Sequence, residues 1–334
     1  MTHKPQSAQE IWSASLLRRD LNARAQHLAT TNRLLHEQTT GTEPSIIFGH
    51  DEKPEKAEQA THGNFHPASY AAICANPDWA RRLTKTHTAH RRVRARADWQ
   101  WMELDCANSS DALLMNIFCH PSVFTDGHLN IAVANLLSVP TDAQPNFGLH
   151  PGVPLRQTRR PRTKRSSETQ ENNLQLFQDP SAAKTDRTES LKDRTEIDLQ
   201  LGNLFIEAKL TESNFQTASL HLIERYRDLE AVFAVDQLPQ RGTPTGAGPI
   251  QGYQLIRNVL AAFAADASFC VLCDARRRDL IEIWYSVLSA VHYPSFAWRL
   301  KLLTWQELAT TLPEDLQNFL EVKYGIIPAD LRLR

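Results

Sequence analysis

Glu196-Ile197-Asp198-Leu199-Gln200-Leu201-Gly202-Asn203-Leu204-Phe205-Ile206-Glu207-Ala208-Lys209 consists of two runs of alternating polar and apolar residues around Gly202-Asn203. A two-residue loop with glycine first predicts a β-hairpin closed by a II′ turn. With Leu201 opposite Leu204, counting outward sets Asp198 opposite Glu207 and Glu196 opposite Lys209. Side chains two apart on a strand share a face, so Glu196, Asp198, Gln200, Glu207 and Lys209 point one way. The other face carries Ile197, Leu199, Leu201, Leu204, Ile206 and Ala208, is apolar throughout, and has to pack on something. One side is core and the other is polar.

An aspartate directly across from a glutamate costs stability unless a cation, a proton or distance relieves the repulsion. A divalent metal relieves it best. Two hard carboxylates on adjacent strands supply part of an oxygen site for Mg²⁺, with Mn²⁺ as a substitute, and leave positions for water and substrate phosphate. On the same face, Lys209 could orient or deprotonate an attacking water, or neutralise charge developing on phosphorus. The alternative is a solvated face on which Glu196 and Lys209 form an ordinary cross-strand ion pair.

Asp198 on one strand and Glu207-Ala208-Lys209 on the next resemble the PD-(D/E)XK nuclease superfamily. The longer text Glu207 to Glu212, followed by Phe215 and by Tyr253-Gln254-Leu255-Ile256-Arg257-Asn258, resembles an uncharacterised bacterial branch of it, over residues 100 to 300. The proline of the superfamily's name is missing, because Ile197 precedes Asp198. The resemblance implies an α/β fold with a restriction-endonuclease-like core, a central mixed β-sheet flanked by helices. It further implies that Asp198 and Glu207 bind the metal and that Lys209 assists hydrolysis of a phosphodiester. The first core helix of such proteins often adds an acidic metal ligand. Asp111 is the candidate, with Glu103 and Glu196 as weaker ones.

Composition sets the limits around this reading. At 334 residues, with 41% hydrophobic and 22% charged, the chain reads as an ordinary globular protein of one large or two modest domains. Met1 to Glu10 is polar and nothing suggests secretion or membrane insertion, so a cytoplasmic protein is expected. The formal net charge of −1 is uninformative by itself, because basic residues cluster. One cluster is His87 to Arg96. The other, Arg156 to Arg165, contains Arg159, Arg160, Arg162 and Lys164 within a Pro-, Ser- and Thr-rich loop near 151–173. Ahead of a nuclease hairpin, such a loop is placed to contact phosphates without reading sequence; otherwise it is a solvated linker. Nucleic acid is therefore the expected partner, DNA favoured over RNA, with a homodimer or a partner protein also compatible. The five cysteines read as buried and inert, since Cys270 and Cys273, three apart on a strand, face opposite ways. The thirteen histidines show no metal-binding spacing and are expected to be structural.

Periodicity supplies the remaining elements. Ala8 to His36 reads as helix, Gly41 to Phe65 as irregular, and Tyr70 to Leu83 as a short helical segment, giving a mainly helical extension over 1–98 before a nuclease-like domain over 99–334. Asn108 can cap a helix with Asp111 at its third position and Leu113, Leu114, Ile117 and Phe118 toward the core; there Asp111 serves either a metal or only the helix N-terminus. Beyond the hairpin, Leu220 to Phe233 reads as helix, Gln237 to Gly252 as a long loop, Tyr253 to Ala265 as helix, Phe269 to Cys273 as a buried strand, and Asp279 to His292 as helix. Gln254 and Arg257 either reach substrate phosphates or are polar residues on an exposed turn. The expected function is a Mg²⁺-dependent endonuclease, and genome defence follows from the resemblance alone. The rival is a catalytically silent nucleic-acid-binding or assembly subunit that keeps the fold.

Overall fold

The computed structural model describes residues 12–39, 45–51, 61–86, 102–156, 192–242 and 248–329. Five strands make the central sheet: β1 (Pro145–Leu149), β2 (Ile197–Leu201), β3 (Leu204–Ala208), β4 (Ser268–Cys273) and β5 (Leu300–Thr304). They lie side by side in chain order, antiparallel from β1 to β3 and parallel from β3 to β5. The principal helices are α1 (Ala14–Thr31), α2 (Pro67–Ala75), α3 (Ser110–Phe118), α4 (Tyr253–Ala264), α5 (Arg278–Ser289) and α6 (Glu314–Tyr324). Parallel neighbours need a crossover, which α4 supplies between β3 and β4 and α5 between β4 and β5.

Both crossover helices pack on one face of the sheet. Leu255 and Val259 of α4 and Leu280 and Trp284 of α5 close over Phe205, Phe269 and Val271. The opposite face buries Leu199, Leu201, Leu204, Ile206 and Ala208 beneath Leu17 of α1, Leu113 of α3 and Leu316 of α6. Ile197, at the start of β2, instead joins the core under α4. The result is a mixed α/β arrangement of three layers.

The hairpin has the counted register, with Leu201 opposite Leu204, Gln200 opposite Phe205 and Leu199 opposite Ile206. Gly202 takes φ 54° while Asn203 stays out of the positive region, as a II′ turn requires. The expected division into a core side and a polar side holds on β2, whose burial alternates, but not on β3. All five residues of β3 are buried, because α4 arrives from later in the chain and covers the polar side as well. In parallel sheets both faces are covered, and the inward polar groups then need partners.

Several boundaries differ from expectation for identifiable reasons. The first helix starts after Ser13, whose hydroxyl accepts the Leu16 N–H at 3.1 Å. Helix α3 is capped by Ser109 rather than Asn108, whose amide donates to Thr211 Oγ1 at 3.0 Å, so Asp111 falls at the second helical position. The segment expected as one helix over 220–233 is two short turns, Leu220–Ile223 and Leu229–Val232. Between them the backbone pairs with another segment: Arg156 N–H donates to Arg225 O at 2.8 Å and Arg227 N–H to Pro154 O at 3.0 Å. Ile46–Phe48, expected as irregular, pairs with His36–Gln38.

Residues before 98 build the same cores. Helix α1 packs against α6 and α2 against α3, and Tyr70, Ile73 and Trp79 lie with Ala112 and Met115. The boundary placed at 98/99 and the basic cluster at 87–96 lie outside the described residues. Cys270 and Cys273 sit in opposite cores, and burial pushes the Cys270 thiol up to about 12. Among the described residues no helix is long and apolar enough to cross a membrane.

Lys323 on α6 is 1% exposed, its Nζ has no hydrogen-bond partner among the described residues and lies 4.5 Å from the Phe48 ring centroid, and burial pulls its pKa down to about 7. The folded protein therefore releases a proton that the unfolded chain keeps up to about pH 10, and stability rises with pH between these values. Lys323→Met is expected to be more stable than wild type at pH 7, with the gap narrowing toward pH 10; urea unfolding across that range checks it.

Candidate active site

The carboxyl end of β3 places Glu207 and Lys209 under α4. Glu207 is fully buried, and three donors surround it: Gln254 Nε2 at 2.6 Å and Lys209 Nζ at 2.6 Å on Oε1, and Asn258 Nδ2 at 2.7 Å on Oε2. Asn258 is itself oriented by the Thr195 hydroxyl, which donates to its Oδ1 at 2.6 Å. Gln254 thus turns toward Glu207 rather than outward, because the first turn of α4 lies directly over β3. The Arg257 guanidinium stacks 5.3 Å from the Tyr253 ring centroid, and its buried Nε has no hydrogen-bond partner among the described residues.

One step past the last ladder pair, Asp198 comes opposite Glu207. Its Oδ2 accepts the Ala208 N–H at 2.7 Å, so a side chain takes over where the ladder ends. Burial, then the charges of Glu207 and Asp111, push the Asp198 carboxyl well above the usual range. Burial also raises Glu207, with Lys209 and Asn258 opposing it. Burial alone would lower Lys209, but Glu207, Glu212 and Asp198 outweigh it and hold the side chain as an ammonium. With both carboxylates ionised, the trio carries one uncompensated negative charge.

A second ion cluster adjoins the first. Arg82 Nη1 lies 3.1 Å and Lys85 Nζ 2.7 Å from Glu196 Oε1, and both cations also bind Asp111. Burial would raise the Glu196 carboxyl, yet its bonds and charge contacts with Lys85 and Arg82 hold it below the usual range. The cross-strand Glu196–Lys209 pair of the alternative, solvated-face reading is absent, because each has a nearer partner. Gly148 in β1 makes the arrangement possible, since a Cβ there would collide with the Arg82 guanidinium, and its φ of 67° suits glycine.

Of the residues expected at the site, the structure brings together Asp198, Glu207, Lys209 and Gln254, with Asp111 and Glu196 alongside. Glu103 lies in the 3₁₀ turn before α3, where its charge bears on Cys106. Arg159, Arg160, Arg162, Lys164 and Arg165 lie outside the described residues. Reading the sequence missed Arg82, Lys85 and Asn258 as contributors. The first two belong to Arg81-Arg82-Leu83-Thr84-Lys85, a basic run with no local mark tying it to a hairpin over a hundred residues away. Asn258 carried a readable signal, lying one helical turn after Gln254 on the same side of α4.

Among the described residues, one other group resembles a functional site without being built as one. His66, His120 and Asp315 bring ligand-type atoms within 4.8 Å of one another. Ala68 N–H donates to His66 Nδ1 at 3.3 Å and Ser122 N–H to His120 Nδ1 at 3.2 Å, so each neutral ring carries its proton on Nε2. Those nitrogens are donors, not metal ligands. Both histidines serve as turn and cap residues, and burial lowers the pKa of each.

The five-stranded mixed sheet, helices on both faces, and acidic groups gathered at one strand end agree with a restriction-endonuclease-like fold. Residues 33–325 match the family described as Restriction Endonuclease associating with ARP. The chain belongs to that family. No curated protein matches it, and no solved structure does.

In this family member the carboxylate pair gives a stability test that does not depend on activity. Asp198 is harder to ionise in the folded state than in the unfolded chain, so its contribution is favourable below about pH 4 and is lost as pH rises through the raised folded value. Asp198→Asn is expected to stabilise the metal-free protein at pH 8 by about 1 kcal/mol or more, seen as a Tm increase that fades on acidification. Arg82→Ala, which leaves the buried Asp111 carboxylate with the 3.4 Å contact to Lys85 in place of its arginine partner, is expected to cost about 3 kcal/mol by chemical denaturation.

Proposed function

We propose that this chain is a metal-dependent nuclease of the PD-(D/E)XK type that hydrolyses phosphodiester bonds, with DNA as substrate. The observation that carries the reading is the buried Glu207, with the half-buried Asp198 opposite it and the Lys209 ammonium 2.6 Å away. An ordinary solvated hairpin would leave these groups in water, where like charges cost little. Here they are held under α4, and the donor set is all carboxylate oxygen, as Mg²⁺ or Mn²⁺ prefers.

Asp198 and Glu207 would hold the ion. Bound there, it would supply Lewis-acid polarisation of a phosphoryl oxygen and a more acidic water. The remaining roles belong to the chain. Gln254 and Asn258 fix the plane of the Glu207 carboxylate, so that it does not rotate to meet Lys209 alone. Paired with Glu207, Lys209 is placed as a positive charge that neutralises negative charge building on phosphorus, which favours that role over proton abstraction. Arg82 and Lys85 hold Asp111 and Glu196 in a separate neutral cluster. Asp111 would become a ligand only by exchanging these cations for the metal. Hydrolysis adds water across a P–O bond, and Arg257 lies on the helix above this site, stacked on Tyr253.

The family description names an association with ARP, and we extend that association with a partner protein to this chain. The test uses the full chain with single- and double-stranded DNA and RNA, with Mg²⁺, Mn²⁺ or EDTA. Cleavage is expected with metal and not with EDTA. Glu207→Gln and Lys209→Ala are expected to lower the rate by about 10²-fold or more without loss of fold by circular dichroism. Robust cleavage by both variants, or cleavage indifferent to EDTA, refutes the mechanism. Retention of nucleic acid with no cleavage under any condition identifies a silent binding subunit instead.

A further inference from the structure

The three parallel strands end at one edge of the sheet, so Lys209 after β3, the segment Asp274–Arg278 after β4 and Trp305-Gln306 after β5 all emerge there. In open sheets containing parallel strands, ligands bind outside the carboxyl ends of those strands. A cavity of about 280 Å³ opens at this edge, lined by Trp12, Arg276, Arg278, Gln306 and Ile327 among others. It is rigidly tied to the candidate active site. Trp305 Nε1 donates to Lys209 O at 3.0 Å, and the neighbouring Gln306 accepts the Ala275 N–H at 2.9 Å. Arg277, fully buried, donates to Leu210 O at 3.1 Å and Glu212 O at 2.9 Å. The segment following Lys209 and the cavity wall therefore form one hydrogen-bonded unit.

The lining has a specific chemistry. Arg276 spends Nε and Nη2 within the protein, on Asp274 at 2.8 and 2.6 Å and, from Nη2, on Tyr324 O at 3.0 Å, while Nη1 lies 3.7 Å from Asp20, beyond hydrogen-bond distance. Its guanidinium stacks 4.8 Å from the Trp12 ring centroid. It therefore presents Nη1 and its flat face, held in place by a carboxylate in its plane and an indole on one side. Gln306 spends its amide on Ala275 N–H and on Asp274, which fixes the wall rather than reading a ligand. Ile327, 58% exposed, adds an apolar surface, and Arg278 adds positive charge at the mouth. A flat cationic shelf, an apolar wall and a peripheral arginine suit a planar heterocycle joined to a phosphate. A carboxylate or free phosphate would leave the flat face and the apolar wall without use.

We propose that this cavity receives one unpaired nucleotide of the nucleic-acid substrate, its base on the Arg276 face against Ile327 and its phosphate toward Arg278. This rests on the nuclease reading of the neighbouring site, which names the polymer. Stacking on arginine and aromatic groups tolerates any base, so the cavity selects for an unpaired state and not for sequence. The nucleotide comes either from a single strand or from extrusion out of a duplex.

The full chain is titrated in EDTA, so that nothing is cleaved, with single-stranded and duplex oligonucleotides carrying one 2-aminopurine. Wild type is expected to bind and to quench the 2-aminopurine. Arg278→Gln and Ile327→Asp, both at the rim, are expected to weaken binding by about ten-fold and to lose the quench at saturation. Loss confined to the single-stranded oligonucleotide identifies a single strand as the source, and loss with the duplex as well identifies extrusion. Binding and quench unchanged in both variants overturn the proposal, as does binding by wild type with no quench in either oligonucleotide. Cleavage by wild type in Mg²⁺ is scored separately, so a pocket that binds beside a silent active site, and an active nuclease without this pocket, give different results.

Discussion

Glu207 has no exposed surface, and an ionisable carboxyl in that position has to be matched atom by atom. The surrounding structure answers that requirement. Lys209 supplies the opposite charge from the same strand, and Gln254 and Asn258 supply donors from the crossover helix. Thr195, ahead of β2, then fixes Asn258. Three segments, the end of β3, the first turns of α4 and the residue ahead of β2, are thereby held to one carboxylate, and their relative placement sets the geometry in which chemistry can occur. Asp198 is the member left in conflict. It lies opposite Glu207, and its raised pKa shows that burial and the charges of Glu207 and Asp111 outweigh the Lys209 charge and the Ala208 N–H that answer it.

The same logic extends beyond the carboxylates. After Lys209 the chain leaves the sheet, and its carbonyls would be unsatisfied inside the core. Trp305 takes that of Lys209, and Arg277 takes those of Leu210 and Glu212. Buried arginine suits this task, because its donors form a fixed fork and its own charge is met by Asp279 at 2.8 Å. On the other side, Arg82 and Lys85 bring the segment after α2 against β2 and α3, keeping Asp111 and Glu196 as a neutral group. The site is thus framed by one neutral cluster and one that is short of a positive charge when both carboxylates are ionised. On the proposed nuclease reading, that difference favours a cation between Asp198 and Glu207 over one beside Asp111.

The parts of this arrangement legible in the sequence were those encoded within a few residues. The turn at Gly202, the register from Leu201–Leu204 and the opposed carboxylates follow from strand periodicity, and the structure keeps them. Helices α3, α4 and α5 and strand β4 were legible from their apolar spacing. Illegible were the partners. Arg82 meets Glu196 across 114 positions of sequence, and no pattern in Arg81 to Lys85 announces it. The helix expected over 220–233 was broken by backbone pairing with 154–156, which local propensity does not register.

What the sequence by itself determined is the hairpin: which residues pair, which side chains share a face, and that two acids stand opposite each other beside a lysine. Those relations depend on a two-residue period and a glycine turn. Only the tertiary structure decided that Glu207 and Lys209 on the polar face are buried, that Glu196 belongs to Arg82 and Lys85 instead of Lys209, and that a cavity lies along the same sheet edge. The reason is physical. Periodicity fixes direction relative to the strand, whereas burial and charge balance depend on what long crossovers bring overhead, here a helix beginning more than forty residues after Glu207.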